Sequence, residues 1–245
     1  LAQLALAATV VLGREAGRGL PAAEAPGALE LILFRNLPGT FLCLWLLGRR
    51  WRRDAAGAVA EQALLRRSLG WLLVRGGIGS LGTVTYFFAG LRIPLAVNQL
   101  VLSSSTFMAA LLSHFFLRER YGRGRVISSL LGFAGVALVF WDGLRLGPRP
   151  DPGYLASLAS AVFTATALFS IRRIRAVGNE AIVLSISAAG SAMALLGMAV
   201  IGVHLPPLAL RPYGMLVLSG ALGLLHQFGT TWAVREAPAA WVLPA

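Results

Sequence analysis

Long apolar runs recur from one end of the sequence to the other. Since a helix rises 1.5 Å per residue, about 20 apolar residues cross a hydrocarbon core about 30 Å thick. Backbone polar groups cannot stay unpaired in lipid, so such runs must be helical. The chain is 57% hydrophobic and only 13% charged, too little charge for the surface of a soluble domain. We therefore predict an all-α, polytopic transmembrane helix bundle.

Prolines and connections divide the apolar runs into spans. Pro94 and Pro238 each stand where a helix can begin, because the first turn does not need the missing N–H. The chain is expected to begin inside one helix and to stop inside another. A first tail is predicted at 1–12, full spans at about 28–47, 69–91, 94–117, 126–141, 153–171, 181–203 and 212–234, and a last helix from Pro238.

All basic residues are arginines, and they concentrate in alternate connections between the spans. Fourteen lie on one side, in predicted loops at 48–68, 118–125 and 172–178 and at Arg235, and six lie on the other. The positive-inside rule places the first set in the cytoplasm, here beneath a bacterial-type inner membrane. Topology and lipid headgroups thus account for the net charge of +12, and no nucleic-acid partner is expected.

An internal repeat appears when the chain is shifted by 144 residues. Residues 71–101 then align without a gap on 215–245, with Gly76 on Gly220, Gly79 on Gly223 and Pro94 on Pro238. With the arginine-rich connections all on one side of the membrane, the two segments are five spans apart. Five is an odd number, so the segments cross the membrane in opposite directions. Inverted repeats of this kind are common in secondary transporters.

Several motifs, in this order and at these spacings, resemble the drug/metabolite transporter superfamily, EamA type. They are LFRNLPGTFLCLWLL around Arg35, VRGGIGSLGTVTYFFAGLRIPLA, LSHFFLRERYGRGR with Glu119-Arg120, LLGFAGVALVFWDG, and GALGLLHQFGTTWAVREAPAAWVLPA. The resemblance covers essentially the whole chain. It departs from the family pattern at Val97, where many relatives carry an acidic residue.

The repeat and the resemblance together imply two halves of five spans each. Residues 1–141 would form the first EamA-like repeat, with an incomplete first span. Residues 150–245 would form the second, with the ninth span cut and the tenth absent. The implied function is secondary transport or export of small metabolites by alternating access. An assembly of two copies is left open.

Two arginines, Arg35 and Arg75, are predicted roughly 10 Å inside their spans. A charge at such depth is costly and normally faces a cavity or a partner. One interpretation is that these side chains attract an anionic or carboxylate-bearing solute. The alternative is that they extend to the nearer headgroups.

Other polar and aromatic residues within the spans complete the candidate substrate site. They can line an aqueous pocket or simply bond across helices. Belt or core packing is the alternative for the aromatic residues, and helix packing for the histidine. The candidates are Tyr86, Asn98, Gln99, His226, Gln227 and Trp232.

The competing functional class is a membrane-embedded enzyme that acts on a lipid or a small substrate. Such an enzyme needs an acid–base pair, a nucleophile or a metal cluster at workable geometry. The sequence contains no HExxH motif, no paired carboxylates within a span and no Cys/His ligand set. We therefore expect a transporter of small molecules, with no catalytic residues, no metal site and no cofactor.

Overall fold

A computed structural model describes residues 2–18, 26–117, 123–145, 151–174, 176–202 and 210–236. This part of the chain is helical, with no strand among its residues. A π-helical turn, Val74–Ile78, joins the third helix to the fourth. The helices are α1 Ala2–Ala16, α2 Ala28–Arg53, α3 Ala55–Leu73, α4 Gly79–Arg92, α5 Leu95–Leu117, α6 Arg123–Arg145, α7 Pro152–Arg173, α8 Asn179–Ile201 and α9 Leu210–Glu236.

Five of the described helical stretches are long and apolar enough to cross a membrane, and Ile127–Leu138 is a shorter apolar stretch. The five are Ala28–Arg53, Gly57–Arg92, Leu95–Phe116, Pro152–Arg173 and Asn179–Ile201. The prediction of an all-α, multi-pass membrane bundle is confirmed. The helix predicted from Pro238 lies outside the described residues.

The prediction of a loop over 48–68 is wrong. Helix α2 continues to Arg53, and α3 begins at Ala55 after a single non-helical residue, Asp54. The Asp54 carboxylate accepts a hydrogen bond from the Gly57 backbone N–H at 2.8 Å, which caps the first turn of α3. Arginine, alanine and glutamate are good helix formers, so the helices extend beyond the apolar core into the polar region.

The third span is consequently longer than the predicted 69–91. Residues 57–92 form one helical stretch of 36 residues, and the π-helical turn interrupts its regular hydrogen bonding near the middle. Single π turns inside α-helices occur frequently at functional sites. This one carries Arg75.

Three helix pairs make the most extensive contacts in the bundle: α2 with α8, α1 with α9, and α4 with α7. Glycines allow two of the closest approaches. A Cβ added at Gly76 would lie 2.5 Å from the Ser185 backbone oxygen, and one added at Gly220 would lie 2.5 Å from the Phe34 backbone oxygen. Gly76 and Gly220 are the pair aligned by the 144-residue shift.

The α2–α8 contact is reciprocal along its length. A Cβ at Gly39 would meet the Ser187 hydroxyl, and a Cβ at Gly190 would meet the Asn36 side chain. The two contacts are counterparts of each other if residue numbers on α2 are increased by 151 to give those on α8, because Gly39 then corresponds to Gly190 and Asn36 to Ser187. At the same offset, Thr40 corresponds to Ser191, and the hydroxyl oxygens of these two residues are 3.4 Å apart.

Two apolar clusters form the core. The first includes Leu6, Leu31, Phe87 and Leu216. The second cluster includes Leu72, Ile171, Ile182 and Val234. Residues of both clusters line a polar cavity.

Candidate functional site

A small cavity of about 50 Å³ lies among α2, the π-helical turn, α4, α7 and α9. That volume holds a few water molecules, since one water needs roughly 10–15 Å³ on this measure. Its apolar lining includes Leu6 and Leu102 from the first cluster and Leu168 from the second. Five of the predicted site residues line it: Arg35, Arg75, Tyr86, His226 and Gln227.

Both arginines point into this cavity rather than toward the headgroups. Arg35 is 3% exposed and Arg75 is 4% exposed. Arg35 lies on α2 one turn before Pro38, and Arg75 lies on the π-helical turn, so different spans bring the two cations together. Burying one charge in a membrane interior is costly, and burying two beside one cavity is more so.

The arginines retain unused hydrogen-bonding groups. Nε and Nη1 of Arg35 and Nε of Arg75 are buried without a hydrogen-bond partner. Nη2 of Arg75 donates to Oε1 of Gln227 at 3.2 Å, and the Arg35 guanidinium lies 5.9 Å from the centre of the Phe87 ring. Among the described residues, neither arginine forms an ion pair. The cavity therefore presents positive charge and free donors to anything that enters it.

Tyr86 has its hydroxyl fixed by the neighbouring helix. It donates to Oε1 of Gln99 at 2.8 Å. Gln99 does not itself line the cavity, so the structure places it behind Tyr86, where it orients the phenol.

Asn98 is placed differently from the cavity residues. It is 0% exposed and both ends of its amide are bonded: Nδ2 donates to the Tyr86 backbone oxygen at 3.1 Å, and Oδ1 accepts from the Ser157 hydroxyl at 2.8 Å. These bonds tie α5 to α4 and α7. Asn98 thus joins neighbouring helices and does not line the cavity.

Trp232 also lies away from the cavity, on the outside of the bundle with 61% of its surface exposed. Three residues that the sequence analysis passed over do line the cavity, namely Thr83, Thr164 and Thr230. For Thr83 and Thr230 the signal was the repeat, whereas Thr164 lies outside the aligned segments. The 144-residue shift pairs Gly82 with His226, Thr83 with Gln227 and Tyr86 with Thr230, and all six line the same cavity.

Within the described residues, no group of three or more His, Cys, Asp or Glu side chains is placed to hold a metal ion. The donors that converge on the cavity are guanidinium, amide, hydroxyl and imidazole groups. Such a set recognises a polar or anionic solute through hydrogen bonds and charge.

The chain is similar to two proteins that are named as exporters. The pseudopaline exporter of Pseudomonas aeruginosa is 32% identical over 238 residues, which cover 95% of this chain and 75% of that protein. The aromatic amino acid exporter of Ancylobacter novellus is 31% identical over 138 residues, 51% of this chain and 48% of that exporter.

A solved structure matches with a TM-score of 0.63 at 23% identity, covering 97% of this chain and 78% of that one, which supports the fold. The family model for EamA-like transporters matches residues 1–141. The resemblance seen in the sequence motifs is thereby confirmed. The chain belongs to the EamA-like transporter family.

Proposed function

We propose that this protein is a secondary transporter that exports small organic anions by alternating access, and that the cavity containing Arg35 and Arg75 is its substrate site. The observation that carries the proposal is the pair of buried arginines with unpartnered N–H groups on one cavity deep in the bundle. Membership of a transporter family and the exporters among its relatives give the reaction class.

The proposed repeats, 1–141 and 150–245, supply the two moving halves. Gly76 packs on Ser185 as Gly220 packs on Phe34, which is the reciprocal contact expected of two related halves in opposite orientation. The contacts of α1 with α9 and of α4 with α7 are also counterparts under this relation. The family model matches the stretch proposed as the first repeat. A site at the interface of such repeats is the usual arrangement in secondary transporters.

The two apolar clusters would then act as the barriers on either side of the site. The cavity has Leu6 and Leu102 from the first cluster and Leu168 from the second. In this conformation the cavity is too small for a metabolite, so the helices must separate to admit one. Rocking of the halves would open one cluster while the other stays packed.

The chemistry of the site favours a carboxylate or a similar anion. A guanidinium binds such a group through two parallel charge-assisted hydrogen bonds. An entering anion would use the free donors of Arg35 and would compete with Gln227 for Arg75. With the arginine-rich side in the cytoplasm of an inner membrane, export would carry the solute away from that side.

The test is flux through the purified full-length protein in proteoliposomes, with a panel of labelled aromatic amino acids and dicarboxylates. We expect saturable flux of at least one anionic compound and its loss in Arg35→Gln. Unsaturable flux would indicate a channel. Chemical turnover of a lipid or solute without flux would indicate an enzyme, and either result would contradict the proposal.

A further inference from the structure

A second, larger concavity lies on the outside of the bundle, between α3 and α8. This groove has a volume of about 570 Å³ and is separate from the arginine cavity. Leu69, Leu73 and Leu184 are among the side chains that wall it. It faces the region that lipid occupies around a membrane protein.

The groove runs from the end of the bundle where the arginines cluster toward the middle of the third span. Arg66 and Trp51 lie at its outer end, and Gly77 and Ala188 lie at its inner end. Arg66 is eleven residues before Gly77 on one helical stretch, which corresponds to about 16 Å at 1.5 Å per residue. The groove therefore extends for about 16 Å along the third span.

Small residues keep the inner end open. A Cβ added at Gly77 would meet no atom within 4 Å, and Ala188 stands opposite on α8. The adjacent Gly76 has the contrary environment, because it packs directly on the Ser185 backbone. Gly76 thus closes the helix contact, while Gly77 leaves space beside it.

The outer end carries Arg66, a charge that has no ion-pair partner among the residues the structure describes. Arg66 is exposed, and no ion pair joins it to another described residue. Trp51 donates from Nε1 to Oε2 of Glu61 at 2.9 Å, and that carboxylate is also within 3.8 Å of Arg50. The nearby acid is therefore already paired, which leaves Arg66 as an available cation at headgroup depth.

We propose that this groove is a binding site for one anionic phospholipid, with an acyl chain between α3 and α8 and the phosphate at Arg66. The apolar walls match the chain, and the arginine complements the headgroup charge. Basic pockets between transmembrane helices on the cytoplasmic side bind anionic headgroups in this way. The bound lipid braces the third span against α8, next to the π-helical turn.

Thermal unfolding of the purified full-length protein tests the site, with phosphatidylglycerol or phosphatidylcholine added to the detergent. Phosphatidylglycerol should raise the unfolding midpoint by about 5 °C at saturation, and phosphatidylcholine by much less. Gly77→Leu fills the inner end and should abolish the difference. Arg66→Gln removes the headgroup contact and should reduce it at least twofold.

Two matched variants control for general effects. Gly70 resembles Gly77 in having open space around an added Cβ, and Arg67 resembles Arg66 in being exposed, but neither lines the groove. Gly70→Leu and Arg67→Gln should therefore behave as the wild type, and native mass spectrometry should show retained phosphatidylglycerol in both.

If Arg66→Gln and Arg67→Gln reduced the stabilisation by phosphatidylglycerol equally, the proposal would be overturned in favour of diffuse charge attraction. A concentration-dependent dimer that Gly77→Leu disrupts, without any difference between the two lipids, would overturn it in favour of a second copy of this chain. Neither outcome bears on the arginine cavity, whose test is solute flux.

Discussion

Two buried polar regions of the bundle differ in whether their hydrogen-bonding groups have partners. Around Asn98 every side-chain amide atom has a partner, and the bonds join three helices. Around Arg35 and Arg75, three guanidinium nitrogens are buried without one. Buried polar groups are normally satisfied, so the contrast supports the proposal that a solute enters the arginine cavity, whereas the bonds of Asn98 join helices.

Both regions are buried, so burial depth alone does not distinguish them, whereas the unpaired guanidinium nitrogens of Arg35 and Arg75 do. Leaving a charged donor buried and unpaired costs free energy, and a site can recover that cost when a ligand arrives. Four substitutions test this distinction.

The largest effect is expected for Arg35→Gln. The change removes the cation with the most unused donors while keeping a polar side chain of similar length. A charge-assisted hydrogen bond is worth about 1.5–3 kcal/mol, so transport at low substrate concentration should fall about 10- to 100-fold. The measurement is initial flux in proteoliposomes, normalised to inserted protein.

Arg49→Gln is the matched control, since Arg49 is exposed and lies 5.3 Å from the centre of the Trp45 ring. It should retain flux within about twofold, because a solvated rim charge contributes little. If the two variants lost flux equally, net charge rather than the cavity would be responsible, and the distinction between the two regions would fail.

Much of the fold followed from the sequence because a membrane restricts the options. Hydrophobic length located the spans, and the family motifs identified the class. The stretch 48–68 was misassigned because a hydropathy argument cannot distinguish a polar helix from a loop. The cap that separates the helices depends on a single contact, from Gly57 to Asp54.

The site was only partly predictable, for a different reason. Sequence shows that Arg35, Asn98 and Trp232 lie within spans, but it does not show which face of a helix is buried or which amide is already bonded. That depends on helix rotation and on partners far away in sequence, such as Ser157 for Asn98. The offset of 151 between α2 and α8 was likewise invisible, because few side chains are shared and only the contacts reveal it.

Asn98→Ala should give the next largest effect, and on stability rather than on transport. It leaves the Ser157 hydroxyl and the Tyr86 carbonyl without their partner. We expect a loss of about 1–2 kcal/mol in the free energy of unfolding, given about 0.6 kcal/mol for an average hydrogen bond between membrane helices. Denaturant unfolding in mixed micelles measures it.

Ser103→Ala is the comparison, because the Ser103 hydroxyl only donates to the Gln99 backbone oxygen of its own helix. It should leave stability nearly unchanged. A variant Asn98→Ala that is fully stable yet inactive would move Asn98 from the packing region to the transport site.

A smaller effect, of opposite sign to that of Arg35→Gln, is expected for Gln227→Ala. Gln227 accepts a hydrogen bond from Arg75, the contact with which an anionic solute would compete. Removing it frees a donor, so the KM for transport should fall about threefold, the equivalent of one membrane hydrogen bond. Concentration-dependent flux gives the value.

Thr230→Ala serves as the control for enlarging the cavity, since Thr230 lines the same cavity on α9. It should not lower KM. A rise in KM for Gln227→Ala would mean that the amide holds the solute directly, and the competition for Arg75 would be abandoned.

The smallest effect on flux is expected for Trp232→Ala. This change tests whether an aromatic side chain on α9 contributes to flux even when it does not line the cavity. Trp232 is 61% exposed on the lipid-facing side, whereas Tyr86 is buried, lines the cavity and is held by Gln99. Flux should therefore change by less than about twofold, as for other exposed substitutions. Tyr86→Phe, which removes the hydroxyl that donates to Gln99, should reduce flux more. If Trp232→Ala were the more damaging of the two, the substrate pathway would run along the outer face of α9, and unsatisfied donors inside the bundle would no longer be the guide to it.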